Sequence, residues 1–283
     1  RGSSILVSGS VGTGKSTLAA TFANAACSRG ERALIFAYEE SARQFVRNMR
    51  SIGLDLEKWI KKGFLEIHSS RPTLHGLEQH LVTMYDLVRK FKPDVVVVDP
   101  ITNLTFERDD NEVKPTLMRL IDFMKREEIT ALFTSLNSET SSHDGSQVGV
   151  SSLMDTWLRL NNLETDGERN RTLFLLKSRG MGHSNQIREF LISDKGIDLV
   201  EVYVGRGRVL TGAARTAQDE QDKKADDLRI LDQERLVRQL EHKRATIEAR
   251  IAALKAKAAG AELEVNFAIE KEATRSRSDR RNA

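Results

Sequence analysis

A glycine-rich stretch near the start of the chain has residue types and spacing suited to binding phosphate. Residues 9–16 read Gly-Ser-Val-Gly-Thr-Gly-Lys-Ser: a glycine, four residues of any type, then Gly-Lys-Ser. Glycines let the backbone curl so that successive N–H groups point at phosphate oxygens, and the positive end of a following helix adds to the attraction. An apolar strand precedes the stretch and a helical pattern follows it, which is the context this motif requires. The stretch therefore predicts a nucleoside triphosphate site.

The side chains of this loop have separate expected roles. Lys15 should reach the β and γ phosphates and act in catalysis, and Ser16 should ligate Mg²⁺. We expect ATP and Mg²⁺ as the bound groups. The predicted ATP-binding residues are Gly9, Ser10, Val11, Gly12, Thr13, Gly14, Lys15, Ser16, Thr17 and Asp99.

Carboxylates follow two other apolar strands. Asp99 ends the run Val95–Val98, and Glu39 and Glu40 follow the strand 34–38. In a parallel sheet these strand ends lie beside the phosphate loop, so Asp99 can hold a Mg²⁺ water and a glutamate can polarise an attacking water or hydroxyl. Glu39 and Glu40 are both predicted to act in catalysis. Glu39 is slightly preferred as the direct partner, and Glu40 is also predicted to ligate the metal. Alternatively, Asp99 is a turn residue before Pro100 and the glutamates are an acidic pair at a helix N-terminus.

Two cations share one face of a later strand. Lys177 and Arg179 are two residues apart, so on an extended backbone they point the same way. They could clamp the γ phosphate bound to a neighbouring subunit, as an arginine finger does. A solvated strand face is an equally good interpretation of these two residues alone.

Strand-like and helical patterns alternate over the first half of the chain. Short apolar runs at 5–7, 33–36, 95–98 and 131–133 are separated by helical patterns at 15–28, 41–52, 74–91 and 113–126. This order predicts an α/β fold with a mainly parallel central sheet. A polar loop is expected at 138–149, followed by three strands at 156–163, 172–178 and 187–192 that extend the sheet in antiparallel fashion.

The C-terminal part changes to Ala, Glu, Lys, Arg, Gln and Leu without proline. We predict a globular domain at 1–204, a glycine-containing linker at 205–218, a coiled-coil helix at 219–270 and a basic disordered tail at 271–283. An amphipathic helix folded back on the domain is the alternative. Ten of twelve positions at heptad spacing are apolar: Ile230, Gln233, Val237, Leu240, Arg244, Ile247, Ile251, Leu254, Ala258, Ala261, Val265 and Ala268.

Composition limits the partners and the compartment. Lys and Arg total 44 and Asp and Glu total 41, so no overall field favours nucleic acid or a membrane surface. The single cysteine, Cys27, excludes an internal disulfide and suits a reducing cytoplasm. No apolar run is long enough to span a bilayer. The start at Arg1, almost directly on a strand, suggests a fragment of a longer protein.

Taken together, these motifs resemble the C-terminal ATPase domain of the KaiC family of circadian-clock proteins. The resemblance covers residues 1–200, and its selective parts are Tyr38-Glu39-Glu40-Ser41, Lys177-Ser178-Arg179-Gly180 and the run 187–196, Ile-Arg-Glu-Phe-Leu-Ile-Ser-Asp-Lys-Gly. It implies a RecA-like ATPase that assembles as a hexameric ring with ATP between subunits and phosphorylates and dephosphorylates itself.

The resemblance also assigns roles. Adjacent hydroxyl residues before an Asp-Thr pair are the phospho-acceptors of the family, and here Ser151 and Ser152 stand before Asp155-Thr156. By themselves two serines after a polar loop more commonly form a turn. The resemblance favours Lys177 and Arg179 as residues that contact the ATP bound to the neighbouring subunit. It suggests His183 as a further contact of this kind.

After residue 205 the chain departs from the short tail through which cyanobacterial KaiC meets KaiA. This departure argues against a KaiA-type activator. The resemblance of the rest of the chain implies a KaiB-type partner. The heptads suggest that two rings stack through their helices into a dodecamer.

Two other functions fit the same scaffold. One is a RecA-like DNA-dependent ATPase or recombinase, which expects basic loops facing a DNA channel. The loop 138–149 has no Lys or Arg, which counts against it. The other is a ring scaffold that binds ATP only to assemble, and the presence of Glu39, Glu40 and Asp99 favours turnover instead.

Overall fold

The computed structural model describes residues 1–71, 76–105, 110–136, 151–165, 168–205 and 208–279. The chain divides into two units, Arg1–Thr216 and Ala217–Ala283. The loop predicted at 138–149 lies outside the described residues. Within those residues, no helix combines the length and apolar character needed to cross a bilayer.

The first unit is built on a nine-stranded sheet with the order β3-β2-β4-β5-β1-β6-β7-β8-β9. Its buried central strands are short and continuously apolar, because helices cover both faces of a parallel sheet. The strands are β1 Ser4–Gly9, β2 Ala33–Ala37, β3 Leu65–Ser69, β4 Val95–Asp99, β5 Thr130–Leu136, β6 Thr156–Thr165, β7 Glu168–Ser178, β8 Arg188–Ser193 and β9 Gly196–Glu201.

The parallel part of the sheet is larger than the sequence predicted. Strand β6 pairs with β1 in parallel, Ile5 opposite Thr156 and Gly9 opposite Leu160. Only β7, β8 and β9 then continue in antiparallel fashion. The expectation that all three later strands are antiparallel is thus wrong for the first of them, since β6 starts level with Ile5 of β1 and runs in the same direction.

Helices cover the two faces of the sheet and form two cores. On one face α4 and α6 pack against residues such as Phe36 and Val98, and on the other α1 packs against Ile35 and Val97. Alternate residues of one strand therefore serve different cores. The helices of this unit are α1 Lys15–Ser28, α2 Ala42–Arg50, α3 Glu57–Lys61, α4 Leu77–Phe91, α5 Thr102–Thr105 and α6 Asp110–Arg126.

The segment predicted as a linker is structured. A hairpin of β10 Tyr203–Gly205 and β11 Arg208–Leu210 is followed at once by helix α7, Gly212–Asp279. The helix starts before residue 219 because two carboxylates from the sheet cap it: Glu189 accepts from the Gly212 N–H at 3.1 Å and Glu168 from the Ala213 N–H at 3.2 Å.

Most of the second unit is the remainder of α7. Its apolar side chains lie at the surface of the isolated chain, for example Val237 and Ile247, which are 53% and 59% exposed. The helix continues to Asp279, through most of the segment predicted as a disordered tail, because that segment contains neither proline nor glycine to end it.

Candidate functional site

The phosphate loop connects the end of β1 to the start of α1. Residues 9–14 form the turn and α1 begins at Lys15, so the first N–H groups of the helix face the loop. The Lys15 ammonium lies inside the turn, 2.9 Å from the Gly9 carbonyl oxygen and 2.7 Å from that of Ser10. Burial lowers the pKa of Lys15, while the charges of Asp99 and Glu39 act to raise it.

The last glycine of the loop is held from one side by β8. Gly14 has φ +93°, and a Cβ there would come within 2.7 Å of Ile192 Cδ1 and 2.9 Å of Phe190 Cε1. Side chains at alternate positions of β8 therefore form one wall of the loop. No sequence motif connects these two regions, and only the fold reveals the contact.

Asp99 lies at the end of β4, beside the loop, and is 7% exposed. Its carboxylate accepts one hydrogen bond from the Thr134 hydroxyl and another from Ser16. Burial raises the pKa of Asp99, and these hydrogen bonds and the Lys15 charge oppose that rise. The structure thus brings Asp99, Ser16 and Lys15 together beside the loop.

The two glutamates after β2 face different partners. Glu39 lies close enough to Lys15 and Asp99 to interact electrostatically with both, and it accepts a hydrogen bond from Asn103. Partial burial, followed by the charge of Asp99, raises its pKa. Glu40 instead accepts from Asn48 Nδ2 at 2.8 Å. Of the two, Glu39 is the glutamate that interacts with both Lys15 and Asp99.

The two predicted acceptor serines and the two predicted cations form a second cluster. Lys177 Nζ donates to the carbonyl oxygen of Ser151 at 3.1 Å, and Arg179 donates to that of Ser152 at 2.7 Å. Partial burial and the neighbouring Arg179 lower the pKa of Lys177. Ser151 is 6% exposed, whereas Ser152 is exposed. His183 lies in an exposed segment after this cluster.

The second cluster lies at the opposite end of the sheet from the phosphate loop. Ser151 and Ser152 precede β6, whose first residue is level with Ile5, while the loop begins at Gly9. Four steps along a strand cover about 13 Å at about 3.3 Å per residue. Reacting groups must approach to about 3–3.5 Å. A serine of this cluster therefore does not reach the phosphate loop of its own chain.

Some residues near the loop carry no sequence signal. Arg171 of β7 donates from Nε to the Gly12 carbonyl oxygen at 3.0 Å, although 159 residues separate them. Asn103 donates to Glu39 and Thr134 donates to Asp99, and neither residue belongs to a recognisable sequence motif. The order of the strands could have suggested Thr134, since β5 ends next to β4 at the same edge.

The donors at the loop suit magnesium and a triphosphate. Ser16 and Asp99 offer the oxygen atoms that Mg²⁺ prefers, and Lys15 with the loop N–H groups offers cationic and dipolar partners for phosphates. Among the described residues, no cluster of three or more His, Cys, Asp or Glu could hold a metal ion by itself.

Comparison with known proteins identifies the family. The family model described as "ATPase: KaiC" matches residues 1–203. The chain belongs to the KaiC family of ATPases. It is 49% identical to the circadian clock protein KaiC2 of Synechocystis over 276 residues, 96% of this chain. It is 35% identical to the circadian clock oscillator protein KaiC of Synechococcus elongatus over 74% of this chain, and 36% identical to that of Thermosynechococcus vestitus over 76%.

The extent of each match is informative. The chain corresponds to 49% of the length of the Synechocystis KaiC2 and to 40% and 42% of the two KaiC proteins, so it spans half or less of these relatives. Because the KaiC2 match covers 96% of this chain, it extends along α7. The KaiC family membership and the RecA-like α/β fold predicted from the sequence are confirmed.

Proposed function

We propose that this chain is a magnesium-dependent ATPase and serine autokinase and autophosphatase of the KaiC circadian-clock type, with its site completed between neighbouring copies in a hexameric ring. The observation that carries the proposal is the position of the two clusters at opposite ends of one sheet. A chain that holds ATP at one end and its acceptor serines at the other requires a second copy to bring them together.

On the ATP side, each side chain acts on the triphosphate from a fixed position. Lys15 binds the β and γ phosphates, and the loop N–H groups orient them. Ser16 and Asp99 hold Mg²⁺, with Glu40 as a further candidate, and the ion neutralises charge on the phosphates when bound. Glu39 accepts the proton from the attacking hydroxyl, a role supported by its raised pKa and its position beside Lys15.

On the acceptor side, the neighbouring copy supplies the nucleophile and two cations. The hydroxyl of Ser151 or of Ser152 attacks the γ phosphorus, and ADP leaves. Ser152 is the more exposed residue of the two. Lys177 and Arg179 stabilise the charge on the transferred group, and His183 is a further contact. When water replaces the serine, the same groups hydrolyse ATP.

Helix α7 supports a higher assembly. Its exposed apolar residues recur at heptad spacing, and such a seam is stable when a second helix covers it. We infer that the helices of two rings pair to form a stacked dodecamer, with a KaiB-type clock protein as a partner, no KaiA-type activator, no nucleic acid and a cytoplasmic location. Deleting residues 219–283 should halve the number of chains per particle, calculated from the mass that light scattering gives, and an unchanged number of chains would refute the stacked ring.

Phosphopeptide mass spectrometry tests the proposed activity. After incubation with Mg-ATP, wild-type protein should carry phosphate on Ser151 or Ser152, and the Ser151→Ala/Ser152→Ala variant should carry none there while still hydrolysing ATP. ATP hydrolysis without phosphate on either serine would remove the autokinase and leave an ATPase.

A further inference from the structure

A cleft of about 660 Å³ lies between α4 and α6, on the face of the sheet that does not carry α1. Its floor is aromatic: the rings of Tyr85 and Phe123 meet edge to face with centroids 4.5 Å apart. Phe123 is 6% exposed and belongs to the core, while Tyr85 is half-buried. The floor is therefore a fixed part of the fold.

Cations surround this floor. Arg89, Arg119, Lys125 and Arg126 line the cleft, and Asp122 is the one carboxylate among its lining residues. Lys125 is already paired with Asp155 at 2.9 Å. In the part of the chain that the structure describes, the three arginines form no ion pair with another residue. They are available to an anion from outside.

The ends of the helices account for some of this charge but not for all of it. Arg89 and Arg126 lie in the last turns of α4 and α6, where cations complement the helix dipole. Arg119 lies seven residues before Arg126, about 10 Å along the helix, where the dipole effect has faded.

Two exposed apolar side chains lie on the same two helices, outside the lining of the cleft. Val82 and Met118, one turn before Tyr85 and Asp122 on their helices, are 50% and 44% exposed. Tyr, Phe, Met and Arg are the residue types enriched in protein interfaces. The cleft is therefore suited to a peptide with both acidic and apolar side chains.

We propose that this cleft, lined by Tyr85, Arg89, Arg119, Phe123 and Arg126, binds an acidic peptide segment of a partner protein. Two glutamates three residues apart on an extended peptide are separated by about 10 Å, which matches the spacing from Arg119 to Arg126. An apolar residue between them can contact the aromatic floor. The inference concerns a different surface from the ATP site and does not depend on the proposed function.

Binding of a labelled peptide tests this proposal. The probe is fluorescein-labelled Glu-Glu-Phe-Glu-Glu-Phe-Glu-Glu, titrated with full-length protein while its fluorescence anisotropy is recorded. Reversing two charges in Arg119→Glu/Arg126→Glu should raise Kd at least about tenfold. Arg119→Gln/Arg126→Gln should raise Kd by a smaller factor.

A matched control separates the cleft from the overall charge. Lys58 and Lys62 lie 4.9 Å and 5.2 Å from the centroid of Trp59, outside the cleft, so Lys58→Glu/Lys62→Glu makes the same charge change at another cation–aromatic group. This control should change Kd less than about twofold.

Several results would overturn the proposal. The first is an equal rise in Kd for the lysine control, and the second is no binding of the probe to the wild type. The third is a change in oligomeric mass caused by the arginine variants, which would make the cleft an interface between copies. Displacement of the probe by tripolyphosphate at a lower concentration than by unlabelled peptide would identify a small-anion site instead.

Discussion

Replacing Gly14 by alanine should destabilise the protein through the contact between the phosphate loop and β8. The backbone strain of a residue other than glycine at positive φ costs about 1–2 kcal/mol. The new Cβ would also stand 2.7 Å from Ile192 Cδ1 and 2.9 Å from Phe190 Cε1. The Ile192 methyl can rotate away, but the Phe190 ring is 1% exposed and held by the core. This overlap adds about 1–3 kcal/mol, the usual cost of overpacking.

Gly30→Ala is the matched control for this change. Gly30 also has positive φ, +82°, but a Cβ there meets nothing within 4 Å. Urea unfolding without nucleotide should therefore give a free energy of unfolding that is lower for Gly14→Ala than for Gly30→Ala by about 1–3 kcal/mol. Equal losses in the two glycine variants would show that β8 does not press on the loop.

Three further changes test other parts of the molecule. Glu39→Gln should reduce ATP hydrolysis about 10²–10⁴-fold in a steady-state assay, and Glu40→Gln should reduce it less; the opposite order would exchange their roles. Glu189→Ala removes the acceptor for the Gly212 N–H, so thermal unfolding followed by circular dichroism should show a loss of about 0.5–2 kcal/mol; an unchanged midpoint would mean that the cap is dispensable. Burial raises the pKa of Cys27 to about 11, so iodoacetamide at pH 8 should label the native thiol at least about a hundredfold more slowly than the unfolded one, and equal rates would contradict its burial.

The sequence predicts features whose signal is local. The loop from Gly9 to Ser16 has a contiguous motif, and Asp99 ends a continuously apolar run that predicts a buried strand. Parallel strands end at one edge of a sheet, so the position of Asp99 beside the loop could be predicted. The position of Glu39 near Lys15 and Asp99 follows from the same rule.

Features made by residues distant in sequence could not be predicted in this way. The contact of Phe190 with Gly14, the bond from Arg171 to the loop and the cap of Glu189 on α7 each depend on which strands become neighbours. In the sequence, the glycines near 205–212 indicate a linker. The helix that begins there could not be predicted, because the carboxylates that cap its start come from β7 and β8.

The central claim is that one chain phosphorylates another, and mixing two inactive variants tests it most directly. Lys15→Ala should bind no ATP but keeps its serines, and Ser151→Ala/Ser152→Ala keeps its ATP site but has no acceptor. The two are co-expressed, one with a mass-distinguishable tag, and phosphate on each is measured by mass spectrometry after addition of Mg-ATP. Transfer between copies predicts phosphate on the Lys15→Ala chain in the mixture and none on that chain alone. Absence of phosphate from the mixture, with wild type phosphorylated under the same conditions, would contradict a site shared between copies.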